Sequence, residues 1–133
     1  MGPENTKSYT DLELYYAAYN MEIKNYSEAE NAFITANRLW NGFGFVDAAY
    51  NTSYTSYKLA LDIIVWKMLE NSSQTQQFAT QYSPALNQVL KIFSALLGSD
   101  GGVYTNYVIS NGSVQSIGQE NGETTSLFVL SES

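Results

Sequence analysis

The 133-residue sequence predicts a mainly α-helical domain of antiparallel α-hairpins carrying one small β-hairpin. Three observations carry that expectation. Apolar residues recur at helical spacing in four separate stretches, and glycine, asparagine or proline punctuates the stretches where helices must start or stop. After Gly98 the period changes to short β-branched and aromatic runs broken by turn residues.

The first helix is expected from Thr10 or Asp11, with Leu12, Tyr15, Tyr16, Tyr19 and Ile23 on one face. After a break at Asn25-Tyr26, Ser27 and Glu30 form a capping-box pattern that opens a second helix. Ala29, Ala32, Phe33, Ala36 and Trp40 line that helix, and Asn41-Gly42 is placed to stop it. So short a break makes the two helices antiparallel neighbours. Residues 42–52 read as a loop with two glycines, three aromatics and one carboxylate.

A third helix, from about Tyr54 to Glu70, is apolar on two faces: Tyr57, Ala60, Leu61, Ile64, Val65 and Met68 on one, Leu59, Ile63 and Trp66 on the other. Such a helix is buried on two sides. Asn71 to Gln81 reads as a polar connection, and Ser83-Pro84 as N-cap and first residue of a fourth helix lined by Leu86, Val89, Leu90, Phe93 and Leu97. Val103–Ile109 and Val114–Ile117 flank Asn111-Gly112, the signature of a type I′ hairpin, with a further turn over Gln119–Gly122. Residues 123–130 begin one more apolar element. Residues 1–8 read as a disordered or cloning-derived start, and 9–133 as one helical domain.

The composition is 44% hydrophobic, 14% aromatic and 14% charged, with net charge −7, which describes a globular chain and not a disordered one. An acidic chain with Arg38 as its one arginine repels phosphate backbones, so nucleic acid is not an expected partner. No stretch reaches the roughly 18 apolar residues of a membrane helix, so no membrane insertion is expected. With no Cys and no His, thiol, imidazole and Zn–Cys/His chemistry are closed. No metal site or cofactor is implied, since Asp100-Gly101-Gly102 does not fit a calcium loop and no phosphate-binding loop is present. Sequons at Asn25, Asn51, Asn71 and Asn111 and an Asn/Ser/Thr/Tyr-rich composition favour an extracellular or cell-surface location, with the cytoplasm as the alternative.

The segment Leu39-Trp40-Asn41-Gly42-Phe43-Gly44-Phe45-Val46-Asp47, followed by Tyr54-Thr55-Ser56-Tyr57-Lys58-Leu59-Ala60-Leu61, resembles a stretch of six-hairpin, or (α/α)6, glycosidase-like proteins. Asp100-Gly101-Gly102-Val103-Tyr104-Thr105-Asn106-Tyr107 and Glu123-Thr124-Thr125-Ser126-Leu127 look like the short hairpin and next inner-helix start of that architecture. The resemblance covers about half the chain. It implies a part of an (α/α) toroid, since the helices are too few to close a ring, and it implies carbohydrate as the partner and glycoside hydrolysis as the activity.

Glycoside cleavage needs two carboxyl groups, about 5–5.5 Å apart for retention or about 6.5–9.5 Å for inversion. The carboxylates in the aromatic, Gly-rich loops are Asp47, Asp100 and Glu123, which are therefore the catalytic candidates. Their ordinary roles are equally definite: Asp100 in a turn, Glu123 at a helix start. Sugar C–H faces stack on aromatic rings, so Trp40, Phe43, Phe45, Tyr54 and Tyr104, with Tyr50 and Tyr107, are candidates for substrate binding. Trp40 and the first-helix tyrosines also suit ordinary core packing. Lys58 is expected in solvent or paired with Asp62. Three readings stand: a glycoside hydrolase-like domain, a glycan-binding module with the rings but no working carboxylate pair, and a homo-oligomerisation domain in which Leu127–Leu130 meets another copy.

Overall fold

A computed structural model of the chain describes residues 9–47, 50, 53–96 and 104–120. Among these residues the chain forms helices α1 (Thr10–Glu22) and α2 (Tyr26–Asn37), strand β1 (Tyr54–Thr55), helices α3 (Ser56–Glu70) and α4 (Gln76–Ser94), and strands β2 (Tyr104–Ser110) and β3 (Ser113–Glu120). The expected mainly helical class with a small β-hairpin is what is observed. Residues 1–8 and 123–130, the latter including Leu127–Leu130, lie outside the described residues.

Helix α1 has the expected start but the opposite orientation. Leu12, Tyr15, Tyr19 and Ile23, expected on the core face, are 49%, 53%, 58% and 52% exposed, while Thr10, Glu13, Leu14, Ala17 and Asn20 are buried. Packing density explains the reversal. α1 lies against α2 and α3, and α2 presents Ala29, Ala32 and Ala36 to the core, so close helix approach favours Ala17 and Leu14 over phenol rings. Asn20 tolerates burial because its Nδ2 donates to the Tyr16 carbonyl at 2.8 Å.

The capping box does not form. α2 starts at Tyr26, and its N-cap Asn25 makes no side-chain cap hydrogen bond. Lys24 in the left-handed region and the Asn25 N–H donating to the Asn20 carbonyl at 2.8 Å close the turn instead. This tight reversal leaves Ser27 already within the helix. α2 ends at Asn37, earlier than Asn41-Gly42 suggested, because the Asn37 amide turns onto the Phe33 carbonyl at 3.0 Å and the Asp62 carboxylate at 2.9 Å. Trp40 therefore lies beyond the helix.

α3 is buried on more than one side, as its two apolar faces require; every residue from Lys58 to Ile63 is buried. α4 corrects the polar-connection reading of Asn71–Gln81, being continuous from Gln76 with Pro84 inside it. Two interactions allow this. Phe78 and Tyr82 pack edge-on against Phe33 of α2, at 6.1 and 5.3 Å between ring centroids, so the polar-looking segment has a buried anchor. The Thr80 carbonyl, which Pro84 cannot bond, accepts the Ser83 hydroxyl at 2.8 Å. Ser83-Pro84 is thus an interior repair and not a helix start.

The hairpin forms as expected, with Asn111 and Gly112 both at positive φ, as a type I′ turn requires. Gln119 and Glu120 continue β3, so the turn expected from Gln119 does not begin there. β1 adds an unforeseen third strand, pairing Tyr54 with Tyr107 and Thr55 with Asn106. The sheet meets the helices through β2 and α3, and Tyr107 joins the core.

Asp62 is fully buried on α3, and among the described residues only its Oδ1 has a hydrogen-bond partner, Asn37. Burial pushes its carboxyl up from 3.8 to about 7, against a smaller lowering from Asn37. A raised folded-state pKa contributes stability below the unfolded value, and that contribution is lost as pH rises through the folded one, here between about 4 and 7. Urea denaturation from pH 4 to 8 is expected to show Asp62→Asn gaining on wild type with rising pH, by roughly 1–3 kcal/mol at pH 8. Identical pH slopes for the two proteins would contradict this burial argument.

Candidate functional site

The two aromatic stretches meet at one end of the helix stack. Trp40 and Phe45 bridge across a short loop whose turn is held by Asn41. The Asn41 Oδ1 accepts the amide hydrogens of Phe43 and Gly44 at 2.9 and 3.0 Å, its Nδ2 donates to the Tyr54 hydroxyl at 3.0 Å, and Gly42 has φ of +100°. An aspartate at position 41 could not make the Tyr54 donation. The Tyr107 hydroxyl donates to the Phe43 carbonyl at 2.8 Å, which ties the loop to β2. Gly44 is required by this approach: a Cβ there would stand 2.6 Å from the Tyr107 hydroxyl and nearer still to the Tyr54 ring.

The rings divide into support and surface. Phe45 and Tyr107 are buried in the core. Tyr50, Tyr54 and Tyr107 form a stack with successive centroids 5.1 Å apart, and burial pushes the Tyr107 hydroxyl well up, so it remains a donor. Trp40 is half-buried, edge-on to Phe45, and its indole N–H donates to Gln88 Oε1 at 3.0 Å. Tyr104 is half-buried, with its carbonyl accepting the Ser56 hydroxyl. Phe43 stands 47% exposed.

Phe43 forms one wall of a cleft of about 430 Å³ between the loop, the last turns of α4 and the hairpin turn. Its apolar side chains are Phe43, Ile92, Ala95, Ile109 and Val114, and its polar side chains are Gln88, Lys91 and Ser113. None of the described lining residues is acidic. The volume lies in the range of small-molecule sites, and an apolar lining with a few convergent polar groups is the usual composition of one. Gln88 and Lys91 were not candidates from sequence, where they look like the solvent face of a helix; only the hairpin turn standing across from that face makes them line a cleft.

Asp47 is elsewhere at the same end. Its carboxylate has no exposed surface; it holds Lys58 Nζ at 2.7 and 2.9 Å and accepts the Thr10 amide hydrogen at 2.8 Å. Lys58 is thus neither solvated nor paired with Asp62, because α3 turns it inward toward the loop that carries Asp47. A carboxylate engaged by a cation and a helix amide is suited to fastening and not to donating a proton. Asp11, in the first turn of α1, accepts the Tyr57 hydroxyl, and burial followed by that bond pushes the Tyr57 hydroxyl up. Asp100 and Glu123 lie outside the described residues. Among the described residues no group of three or more acidic side chains is arranged to hold a metal, and no helix is long and apolar enough to cross a membrane. Neither a family model, a curated protein nor a solved structure matches the chain.

Removing one member of a buried ion pair strands the other. Lys58→Met is expected to destabilise by about 3–5 kcal/mol, and the double variant Asp47→Asn/Lys58→Met to recover a large part of that loss. Chemical denaturation in a double-mutant cycle reads both effects. Strictly additive losses would mean that the pair is not the fastening described above.

Proposed function

We propose that the chain is a glycan-binding module, part of an (α/α) toroid, that takes sugar in the Phe43 cleft without cleaving it. One observation carries the reading. An exposed ring, four apolar side chains and three polar donors converge on a cleft whose described lining has no carboxyl group, while Asp47 is committed to Lys58 and Thr10. Phe43 offers a face for the C–H side of a pyranose, and Gln88 and Ser113 offer hydrogen bonds to its hydroxyls. Asn25, Asn71 and Asn111 are exposed at turns, which supports an extracellular or cell-surface setting.

The test is a glycan panel screened for binding and for reducing-sugar release. Binding without release is expected, and Phe43→Ala should weaken it about tenfold, the order of one lost aromatic contact. Absence of binding by the wild type, or equal binding by Phe43→Ala, sinks this reading. Release of reducing sugar restores the hydrolase.

A second reading, self-association, is favoured by the outward stripe of α1. An antiparallel copy centred between Tyr15 and Tyr19 sets Leu12 against Ile23 of its twin and opposes the two helix dipoles. Sedimentation of the wild type should then give dimers that Tyr15→Ser/Tyr19→Ser converts to monomers. A wild type that stays monomeric across concentration rules it out.

A further inference from the structure

We propose that the cleft recognises an acidic saccharide, a uronate-bearing glycan, with Lys91 pairing with its carboxylate; this rests on the glycan reading of the cleft. The chain has six cationic residues against thirteen acidic ones, yet the cleft has a cation and no acidic residue in its described lining. On a protein of net charge −7, a lysine with no acidic neighbour in the described lining is where an anion finds a counter-charge.

The other polar groups fit the same ligand. Gln88 Oε1 accepts the Trp40 indole N–H, which fixes the amide orientation and leaves its Nε2 hydrogens as donors at the cleft. Ser113 brings a hydroxyl from the hairpin side. An ammonium, an amide NH2 and a hydroxyl make a set dominated by donors, which suits a carboxylate and ring hydroxyl oxygens. Lys91 also lies in the last turn of α4, where the helix end contributes about half a negative charge. The ammonium outweighs that half charge but leaves little excess for a dianion, so a singly charged uronate fits better than a sugar phosphate. The apolar side chains Phe43, Ile92, Ile109 and Val114 then meet the ring's C–H face.

Calorimetric titration with digalacturonate and with its dimethyl ester separates this inference from the reading beneath it. The wild type is expected to bind the acid about three- to tenfold more tightly than the ester, a preference that weakens with salt. Lys91→Gln should bring the two affinities within about twofold of each other, and Lys91→Arg should keep the preference. Equal affinity of the wild type for acid and ester overturns the acidic-sugar inference and leaves the glycan reading standing. Failure of both probes to bind at millimolar concentration overturns the two together.

Discussion

The carboxylate of Asp47 holds together three segments that are far apart in the chain. It takes the first free N–H of α1, at Thr10, and the ammonium of Lys58 on α3, while belonging itself to the loop between α2 and β1. Each participant needs the others. The N-cap of α1, Tyr9, makes no side-chain cap hydrogen bond, so the Thr10 N–H needs an acceptor from elsewhere in the chain. A lysine buried on α3 costs several kcal/mol unless a counter-charge is delivered to it. Closing this contact draws the loop inward, and the aromatic residues just before Asp47 are thereby set over the end of the helix stack.

The cleft follows from that loop position. Asn41 sets the turn, Gly44 lets it lie directly on Tyr54 and Tyr107, and the Tyr107 hydroxyl holds the Phe43 carbonyl. With its backbone pinned at both ends, Phe43 projects beyond the packed rings beneath it. The hairpin supplies the opposite wall, and its strand β2 is bound to the helices through β1 and Tyr107. The cleft thus rests on a layer of packed aromatic rings, Phe45, Tyr54 and Tyr107, beneath the loop.

Elsewhere the fold accepts polar groups in its interior. Among the described residues, Asp62 Oδ2, both carboxylate oxygens of Glu13 and the Thr10 hydroxyl are buried and find no hydrogen-bond partner, and burial pushes the Glu13 carboxyl up. Glu13 and Thr10 face inward because α1 presents Leu14 and Ala17 to its neighbours, and the same rotation of α1 leaves Leu12, Tyr15, Tyr19 and Ile23 outside. The exposed stripe and the buried acid are one fact seen from two sides of a helix.

Local chemistry was legible in several short stretches, though not in the Ser27–Glu30 box, where the reversal at Lys24-Asn25 starts α2 before it. The start of α1, the two-sided burial of α3 and the type I′ turn at Asn111-Gly112 all follow from spacing or from φ preferences of single residues, and they need no partner to be read. Phe43, Phe45 and Tyr50 were recognisable as aromatics in a loop for the same reason, although Phe45 proves to be interior, whereas Trp40 lies beyond the helix its spacing suggested. What the tertiary structure alone decided are choices between faces and partners: which side of α1 packs, whether Gln76–Gln81 joins a helix, where Lys58 finds its charge, and which helix side the hairpin covers. Each turns on packing volume or on a group distant in the chain, such as alanines on α2, Phe33 against Tyr82, or Asp47 against Lys58. A one-dimensional pattern records where apolar residues fall but not how closely two helices can approach, and close approach is what favoured small side chains over rings in this core.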